Sequence, residues 1–320
     1  MPDRSLDELL DQAIDAILAR ALLEASGAEL DALVRTASAL RDMPDKDFQS
    51  RLKTELLRRA TMTPAAAAPV REGFRTITPY ITVPEGATLI EFLKRTFGAE
   101  ELLRSPSPAG FHAEIRIGDS MLMIGSGESV RGHERIGAFH VYVPDCDAAY
   151  RRAMEAGATS MGEPADRPYG ERSGFVKDFA GNHWYIATRF PSNVAPEGLG
   201  TVLPFLFPGK ARAFIDFLKR AFAAQEMGVF EESGRVVHAA VRIGDAVLEM
   251  GEPHDEVQPM PSRFFLYVED CDAWYRRAVA AGATSVQQPT DQPHAHRTAV
   301  VLDPFGYQWI PASLLKNTTL

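Results

Sequence analysis

Phe92-Leu93-Lys94-Arg95-Thr96-Phe97 returns 125 positions later as Phe217-Leu218-Lys219-Arg220-Ala221-Phe222. Arg116-Ile117-Gly118-Asp119 returns as Arg242-Ile243-Gly244-Asp245, 126 positions on. Asp145-Cys146-Asp147-Ala148 becomes Asp270-Cys271-Asp272-Ala273, and Ala156-Gly157-Ala158-Thr159-Ser160 becomes Ala281-Gly282-Ala283-Thr284-Ser285. One unit of roughly 120 residues has been duplicated, and a period that long marks tandem domains, not a solenoid of small repeats. A residue kept in both copies reads as architectural; one that differs marks a specialised pocket.

Each copy repeats its own order. In the first, Thr76 to Val83 reads as a strand, and Ala87 to Phe97 places Leu89, Ile90, Leu93 and Phe97 on one helical face. Two or three strands follow through Ile124. A second pass has a strand at Ala138 to Val143, a helix at Ala148 to Ala156 opened by Asp145 and Asp147, and strands ending at Asp178 to Thr188. The expected fold class is therefore α+β, with four βαβββ halves in two tandem domains, residues 73–192 and 196–316. Ahead of them, apolar residues at helical spacing (Leu6, Leu9, Leu10, Ile14; Leu30, Leu33, Val34, Ala37) predict a small all-helical module over residues 1–60. Residues 61–72 read as a linker. The module offers a surface for a second copy of the chain or for a partner protein.

The 320 residues carry a net charge of −9 with 45% hydrophobic and 24% charged residues, ordinary for a globular protein. No clustered basic face suggests nucleic acid. No apolar run approaches membrane-spanning length, and Met1-Pro2-Asp3-Arg4 leads into an amphipathic pattern without a signal-peptide core. The expected location is the cytoplasm. Cys146 and Cys271 occupy equivalent first helical turns in separate domains, which predicts two free, packed thiols and no disulfide.

The chain resembles the vicinal oxygen chelate superfamily of glyoxalases, bleomycin-resistance proteins, fosfomycin-resistance enzymes and extradiol dioxygenases, and within it the PhnB-like branch. The residues that carry the likeness include Thr78-Pro79-Tyr80, His112-Ala113-Glu114-Ile115-Arg116-Ile117-Gly118-Asp119 and Asp178-Phe179-Ala180-Gly181-Asn182-His183-Trp184. In the second copy they include Leu203-Pro204-Phe205, His238-Ala239 and Asp303-Pro304-Phe305-Gly306-Tyr307-Gln308-Trp309. The resemblance implies that paired halves curl into a cup that binds a small molecule, often through a divalent metal. It also implies that the metal ligands come from the first and last strand of each half. Carried over, those positions hold Thr78, Met123, Ala138 and Tyr185 in the first copy and Leu203, Glu249, Arg263 and Ile310 in the second. Only Glu249 suits a hard cation, and one carboxylate does not hold one. No metal site of the usual kind is expected.

Strand alternation then lists what each domain's own cup would contain. The first would gather Tyr80, His112, Glu114, Arg116, His140, Tyr142, His183 and Tyr185. The second would gather Leu203, Phe205, Phe207, Phe265, Tyr267 and Ile310 with Arg242, Arg263 and Glu249. His294 and His296 are placed at a strand edge or cup rim. Two function classes follow. One is a small-molecule-binding protein without a cofactor, its small organic ligand held by Tyr80, His112, Glu114, Tyr142, Tyr185, Phe205, Arg242, Glu249, Arg263, Phe265 and Tyr267. The other is a lyase, isomerase or dioxygenase-type enzyme that uses the histidine-rich first cup. There His140 or His183 would be the base and Arg116 would stabilise an oxyanion, with or without Zn, Fe or Mn on His112, His140 and His183.

Overall fold

A computed structural model of the chain describes residues 70–315 apart from 72, 108–109, 191–194, 196–197, 255–256 and 294. They belong to one compact unit, Ala65–Leu320. The helical module, most of the linker and His294 lie outside the described residues.

Four βαβββ halves follow one another. The first is β1 (Ile77–Val83), α1 (Gly86–Phe97), β2 (Glu100–Ser107), β3 (Gly110–Ile117) and β4 (Ser120–Ser126). The second is β5 (Ala138–Tyr142), α2 (Cys146–Glu155), β6 (Thr159–Arg167), β7 (Glu171–Lys177) and β8 (His183–Arg189). The third is β9 (Val202–Leu206), α3 (Ala211–Phe222), β10 (Gln225–Glu232), β11 (Arg235–Ile243) and β12 (Ala246–Met250). The fourth is β13 (Arg263–Tyr267), α4 (Cys271–Ala280), β14 (Thr284–Asp291), β15 (His296–Leu302) and β16 (Gln308–Leu314). Local chemistry sets the boundaries. Asp145 and Asp270 cap α2 and α4, each accepting from the backbone N–H three residues on at 2.9 Å. α1 stops at Gly98, which takes the left-handed conformation.

Each sequence repeat keeps its own apolar core. Leu89, Ile90 and Leu93 of α1 and Ala149 and Ala153 of α2 pack with Phe139, Val141 and Trp184. Phe214, Phe217 and Leu218 of α3 and Ala278 of α4 pack with Phe264, Leu266 and Trp309. The two tryptophans are fully buried, and each donates its indole N–H to an aspartate, Asp178 at 2.9 Å and Asp303 at 2.8 Å. The repeated Asp-x-x-Gly turns are thus structural. Cys146 and Cys271 are free, buried and hydrogen-bonded to strand carbonyls. Burial pushes their thiols up, to about 11 and about 12, so neither is a reactive thiolate at neutral pH.

The sheets cross the repeat boundary, and this corrects the expected cups. The strand orders are β14-β15-β16-β13-β1-β4-β3-β2 and β10-β11-β12-β9-β5-β8-β7-β6. The first half therefore shares a sheet with the fourth, and the second with the third. β1 runs antiparallel to β13 (Ile77 opposite Leu266, Thr78 opposite Phe265), and β5 antiparallel to β9 (Ala138 opposite Phe205, His140 opposite Leu203). No cup is built from one domain alone.

The repeated Arg-Ile-Gly-Asp turns tie the two sheets to each other. Asp119, in the first repeat, accepts from the backbone N–H of Thr201 at 2.7 Å, at the start of the second repeat's first strand. Asp245, in the second repeat, accepts from the backbone N–H of Thr76 at 2.7 Å. Gly118 and Gly244 have φ of 58° and 59°, and a Cβ on either would lie 2.3 or 2.2 Å from the hydroxyl of Thr201 or Thr76. Only glycine serves both the turn and the close approach. Arg75 spans the two clasps, reaching Asp119 Oδ2 at 2.9 Å and the Asp245 carbonyl at 3.3 Å.

Asp119→Ala and Asp245→Ala should each lower unfolding free energy by about 1.5–3 kcal/mol, the range for a hydrogen bond to a charged group. Urea titration measures it; a variant as stable as the parent would show that the clasp does not hold the sheets together.

Candidate functional site

In the β5/β9 cup the register sets out rows of side chains on one face. One row runs His183, Ala138, Phe205, Glu249, Ala240, and the next Tyr185, His140, Leu203, Val247, Arg242. Because the second and third halves share this sheet, His140 meets Glu249 across the repeat boundary. Its Nδ1 lies 2.9 Å from Glu249 Oε2 and its Nε2 lies 3.5 Å from Glu171 Oε2. The Tyr142 hydroxyl donates to Glu171 Oε1 at 3.0 Å, and His238 Nε2 stands 3.6 Å from Glu249 Oε1. The result is a chain Tyr142–Glu171–His140–Glu249–His238, with His238 half exposed and the two carboxylates 10% and 8% exposed.

Charge follows from this geometry. Burial by itself lowers the His140 imidazolium, but Glu249 and Glu171 outweigh it and raise the group to about 10. Burial raises the Glu249 carboxyl, but the His140 charge prevails and lowers it to about 2. Burial, then the two carboxylates, pushes the Tyr142 phenol well above its ordinary value. His140 at neutral pH is a fixed cation with both nitrogens engaged, which is not the state of a general base. His183 is the opposite case. Its Nδ1 is buried without a hydrogen-bond partner, and burial followed by Lys177 holds the ring below its ordinary value, hence neutral. Beside these groups Tyr185, Phe205 and Phe207 form an aromatic wall with centroids 5.0 to 6.2 Å apart. Arg242 stands at the other end of its row.

The β1/β13 cup has the same rows with other residues. One runs Arg263, Tyr80, Met123, Glu114 and its neighbour Phe265, Thr78. The Tyr80 hydroxyl lies 3.2 Å from His112 Nδ1. Glu114 receives both Nη atoms of Arg71, one at 3.0 Å, and Phe74 packs edge-on against Tyr267 at 5.6 Å. The segment around Arg71 and Phe74 therefore closes one end of this cup. Burial raises the Tyr267 phenol to about 12. His296 is buried against Phe265 and Tyr267, so it faces the cup and does not sit on its rim. Arg116 is paired with Glu100 at 2.6 Å and is 45% exposed, away from the other groups.

The histidine-rich first cup therefore does not form. His112 belongs to the β1/β13 cup, while His140 and His183 belong to the β5/β9 cup, so these three cannot share a metal. Phe265, Tyr267, Arg263 and Ile310 likewise leave Phe205, Glu249 and Arg242. Sequence reasoning missed Arg71 and Glu171 as cup residues. Glu171 immediately precedes an arginine that pairs with Asp147 (Arg172 Nη2 to Oδ1, 2.8 Å), but only the register of β7 on β8 shows its inward aim.

The divalent metal that the fold implies would need donors at the ligand positions of a cup. In the β1/β13 cup the ligand positions are Thr78, Met123, Arg263 and Ile310; in the β5/β9 cup they are Ala138, Tyr185, Leu203 and Glu249. Glu249 is already ion-paired, and Glu171 and Glu249 lie on opposite sides of the His140 ring instead of converging on one point. Among the described residues no group of three His, Cys, Asp or Glu side chains is arranged to hold a metal ion. The donors do not fit the group.

Duplicated βαβββ halves, joined across the repeat boundary into two eight-stranded sheets, define a fold class with known members. The profile of the Glyoxalase/Bleomycin resistance protein/Dioxygenase superfamily matches residues 74–186 and again 199–310. The chain belongs to that superfamily. An uncharacterised protein of Mycobacterium bovis is 34% identical over 122 residues, 34% of this chain and 80% of that protein. A counterpart in Mycobacterium tuberculosis is also 34% identical, over 72% of its length. The fold is similar to glyoxalase I from Zea mays, with a TM-score of 0.60 at 16% identity over 75% of this chain and 92% of that one. It is also similar to a putative dioxygenase from Bacillus subtilis, with a TM-score of 0.51 at 14% identity over 75% and 86%. Among the described residues no helix is long and apolar enough to cross a membrane.

The His140–Glu249 pair makes stability depend on pH in a defined direction. The raised histidine contributes fully below its ordinary 6.5, and that contribution is lost as pH climbs toward about 10. The lowered glutamate contributes fully above 4.5, and its share is lost as pH falls toward about 2. The stability gap between the parent and His140→Phe/Glu249→Leu should shrink from pH 6.5 to 10 in urea titrations. A gap constant across that range would refute the charged pair.

Proposed function

We propose that the chain is a small-molecule-binding protein of this superfamily whose cups hold ligands by hydrogen bonds, charge and aromatic surface, without a chelated metal. The observation that carries this reading is the capture of Glu249, the one acid left at a metal-ligand position, by His140 at 2.9 Å. An imidazolium between two carboxylates supplies locally the positive charge that a cation would otherwise bring. It also fixes those carboxylates as oriented acceptors beside the wall of Tyr185, Phe205 and Phe207. A flat organic molecule with a polar edge suits such a surface: the ring stacks, and the edge meets Tyr142, His238 or Arg242. Retention or delivery of that molecule needs no bond to be broken.

A second reading, an enzyme of lyase or isomerase type, draws support from the Tyr142–Glu171–His140–Glu249–His238 chain, which joins a buried phenol to a half-exposed imidazole. In that reading His238 exchanges protons with the cup and His140 acts as a held cation. His238→Ala, made in an otherwise unchanged chain, would abolish turnover on any substrate found while leaving binding within a few-fold.

Elemental analysis of protein purified without chelator should give well under one equivalent of zinc, iron or manganese, and EDTA should leave the melting temperature unchanged. Calorimetry against flat aromatic acids, amides and alcohols should reveal a ligand. A stoichiometric ion whose removal lowers the melting temperature would overturn the metal-free reading.

A further inference from the structure

The two cups differ most at the end away from the segments that precede β1 and β9. In the β1/β13 cup, Tyr80 and Thr82 point from β1 onto the same face, two residues apart. The pairing that sets Pro79 opposite Phe264 places Arg263 beside Tyr80, and its guanidinium lies 5.8 Å from that ring. Thr82 pairs with Arg135 through two backbone hydrogen bonds of 2.9 Å, so both side chains leave the sheet on the same side. Arg135, Arg263, Tyr80 and Ser262 line one crevice, walled on its other side by Gly137 and Ala138 at the start of β5.

Neither guanidinium has a carboxylate partner among the described residues. Arg263 spends its Nε on Gln308 at 2.9 Å, which leaves its two Nη groups as a fork. Arg135 Nε is buried without a hydrogen-bond partner, and so is the hydroxyl of Thr82. Burial, and after it the positive charge of Arg135, lowers the Arg263 guanidinium from its ordinary value. The acid of this cup, Glu114, is taken up by Arg71, and His112 is turned to Tyr80. Two like charges side by side, with orphaned donors around them and no internal counter-ion, make an uncompensated arrangement that an anion would complete.

The equivalent end of the β5/β9 cup is apolar. By the repeat, Arg263, Tyr80, Thr82 and Arg135 correspond to Ala138, Phe205, Phe207 and Met260. Ala138, Phe207 and Met260 are buried in one cluster with Phe205 against it. The cationic end is therefore a property of one cup and not a demand of the fold.

We infer that Arg135 and Arg263, with the hydroxyl of Thr82, form an anion-binding subsite in the β1/β13 cup that takes the carboxylate or phosphate group of a flat organic ligand. The inference rests on the small-molecule-binding reading and adds a ligand class to it. The forked Nη groups of Arg263 receive two oxygens of the anion, Arg135 Nε and Thr82 Oγ1 supply further donors, and Phe265 and Met123 present apolar surface to the ligand's body.

The test is calorimetry on the full chain with phenyl phosphate, benzoate, inorganic phosphate and the neutral benzyl alcohol. Phenyl phosphate or benzoate should bind, and the tighter of the two identifies the oxyanion. Arg263→Gln and Arg135→Gln should each weaken binding about tenfold or more, as loss of a charge-assisted hydrogen bond does. Thr82→Val should weaken it several-fold, and the charge-matched control Arg220→Gln, on exposed helix surface, should not. If Arg263→Gln does not fold by circular dichroism, Arg135→Gln and Thr82→Val decide the matter. Anion affinity within twofold of the parent in the folded variants, or no anion binding at all, overturns the subsite. Benzyl alcohol binding without anion binding removes the subsite alone; failure of every probe, neutral ones included, removes the small-molecule-binding reading with it.

Discussion

The antiparallel contact of β1 with β13, mirrored by β5 with β9, decides everything that happens on the concave faces. Each repeat folds its two helices into a core drawn almost wholly from that repeat, with Ile77 and Val202 the crossing members, which leaves the outer edges of β1, β5, β9 and β13 to be paired. Pairing them across the repeat boundary satisfies backbone groups that would otherwise be exposed as sheet edges. The clasps formed by Asp119 on Thr201 and Asp245 on Thr76 then tie one sheet to the other, each joining a turn of one sheet to the start of β9 or β1 in the other. A slip of one residue would turn every cup side chain into the helical core. The chemistry of the cups thus follows from which strand edges pair.

Duplication has then been used to make two unlike sites on one scaffold. At one pair of equivalent positions the β5/β9 cup has Glu249 and His140 where the β1/β13 cup has Met123 and Phe265. At another, the β1/β13 cup has Glu114 where the β5/β9 cup has Ala240. Each cup holds a buried carboxylate, but on a different strand and neutralised by a different cation: His140 in one case, Arg71 in the other. A buried carboxylate without such a partner is strongly destabilising. The partners differ in consequence. Arg71 reaches in from the segment before β1, whereas His140 belongs to the floor of the sheet itself.

The histidine also shows why residue type alone is a poor guide to role. An imidazole in water titrates near neutrality and reads as a candidate base. Held between Glu249 and Glu171, it is a cation at neutral pH. His183, partly desolvated and near Lys177, is held below its ordinary value and is neutral at neutral pH. The same side chain thus serves as charge in one row and as uncharged ring in the next.

The order of elements, the duplication and the inward parity of Tyr80, His112, His140 and Tyr185 were legible in the sequence. All of these are local: alternation, helical spacing and motif identity depend on neighbours along the chain. Which inward-facing residues meet was not legible. Strand partners lie far apart in sequence, and an edge can pair with either of two equivalent strands at similar local cost. A domain-by-domain reading joined His112 to His140 and Phe205 to Phe265. Tertiary pairing instead joined His140 to Glu249 and brought Arg135 beside Arg263. The sequence by itself determined the halves and the face each residue shows; only the three-dimensional pairing of distant edges decided which charges neutralise one another and which, among the described residues, are left without a counter-charge.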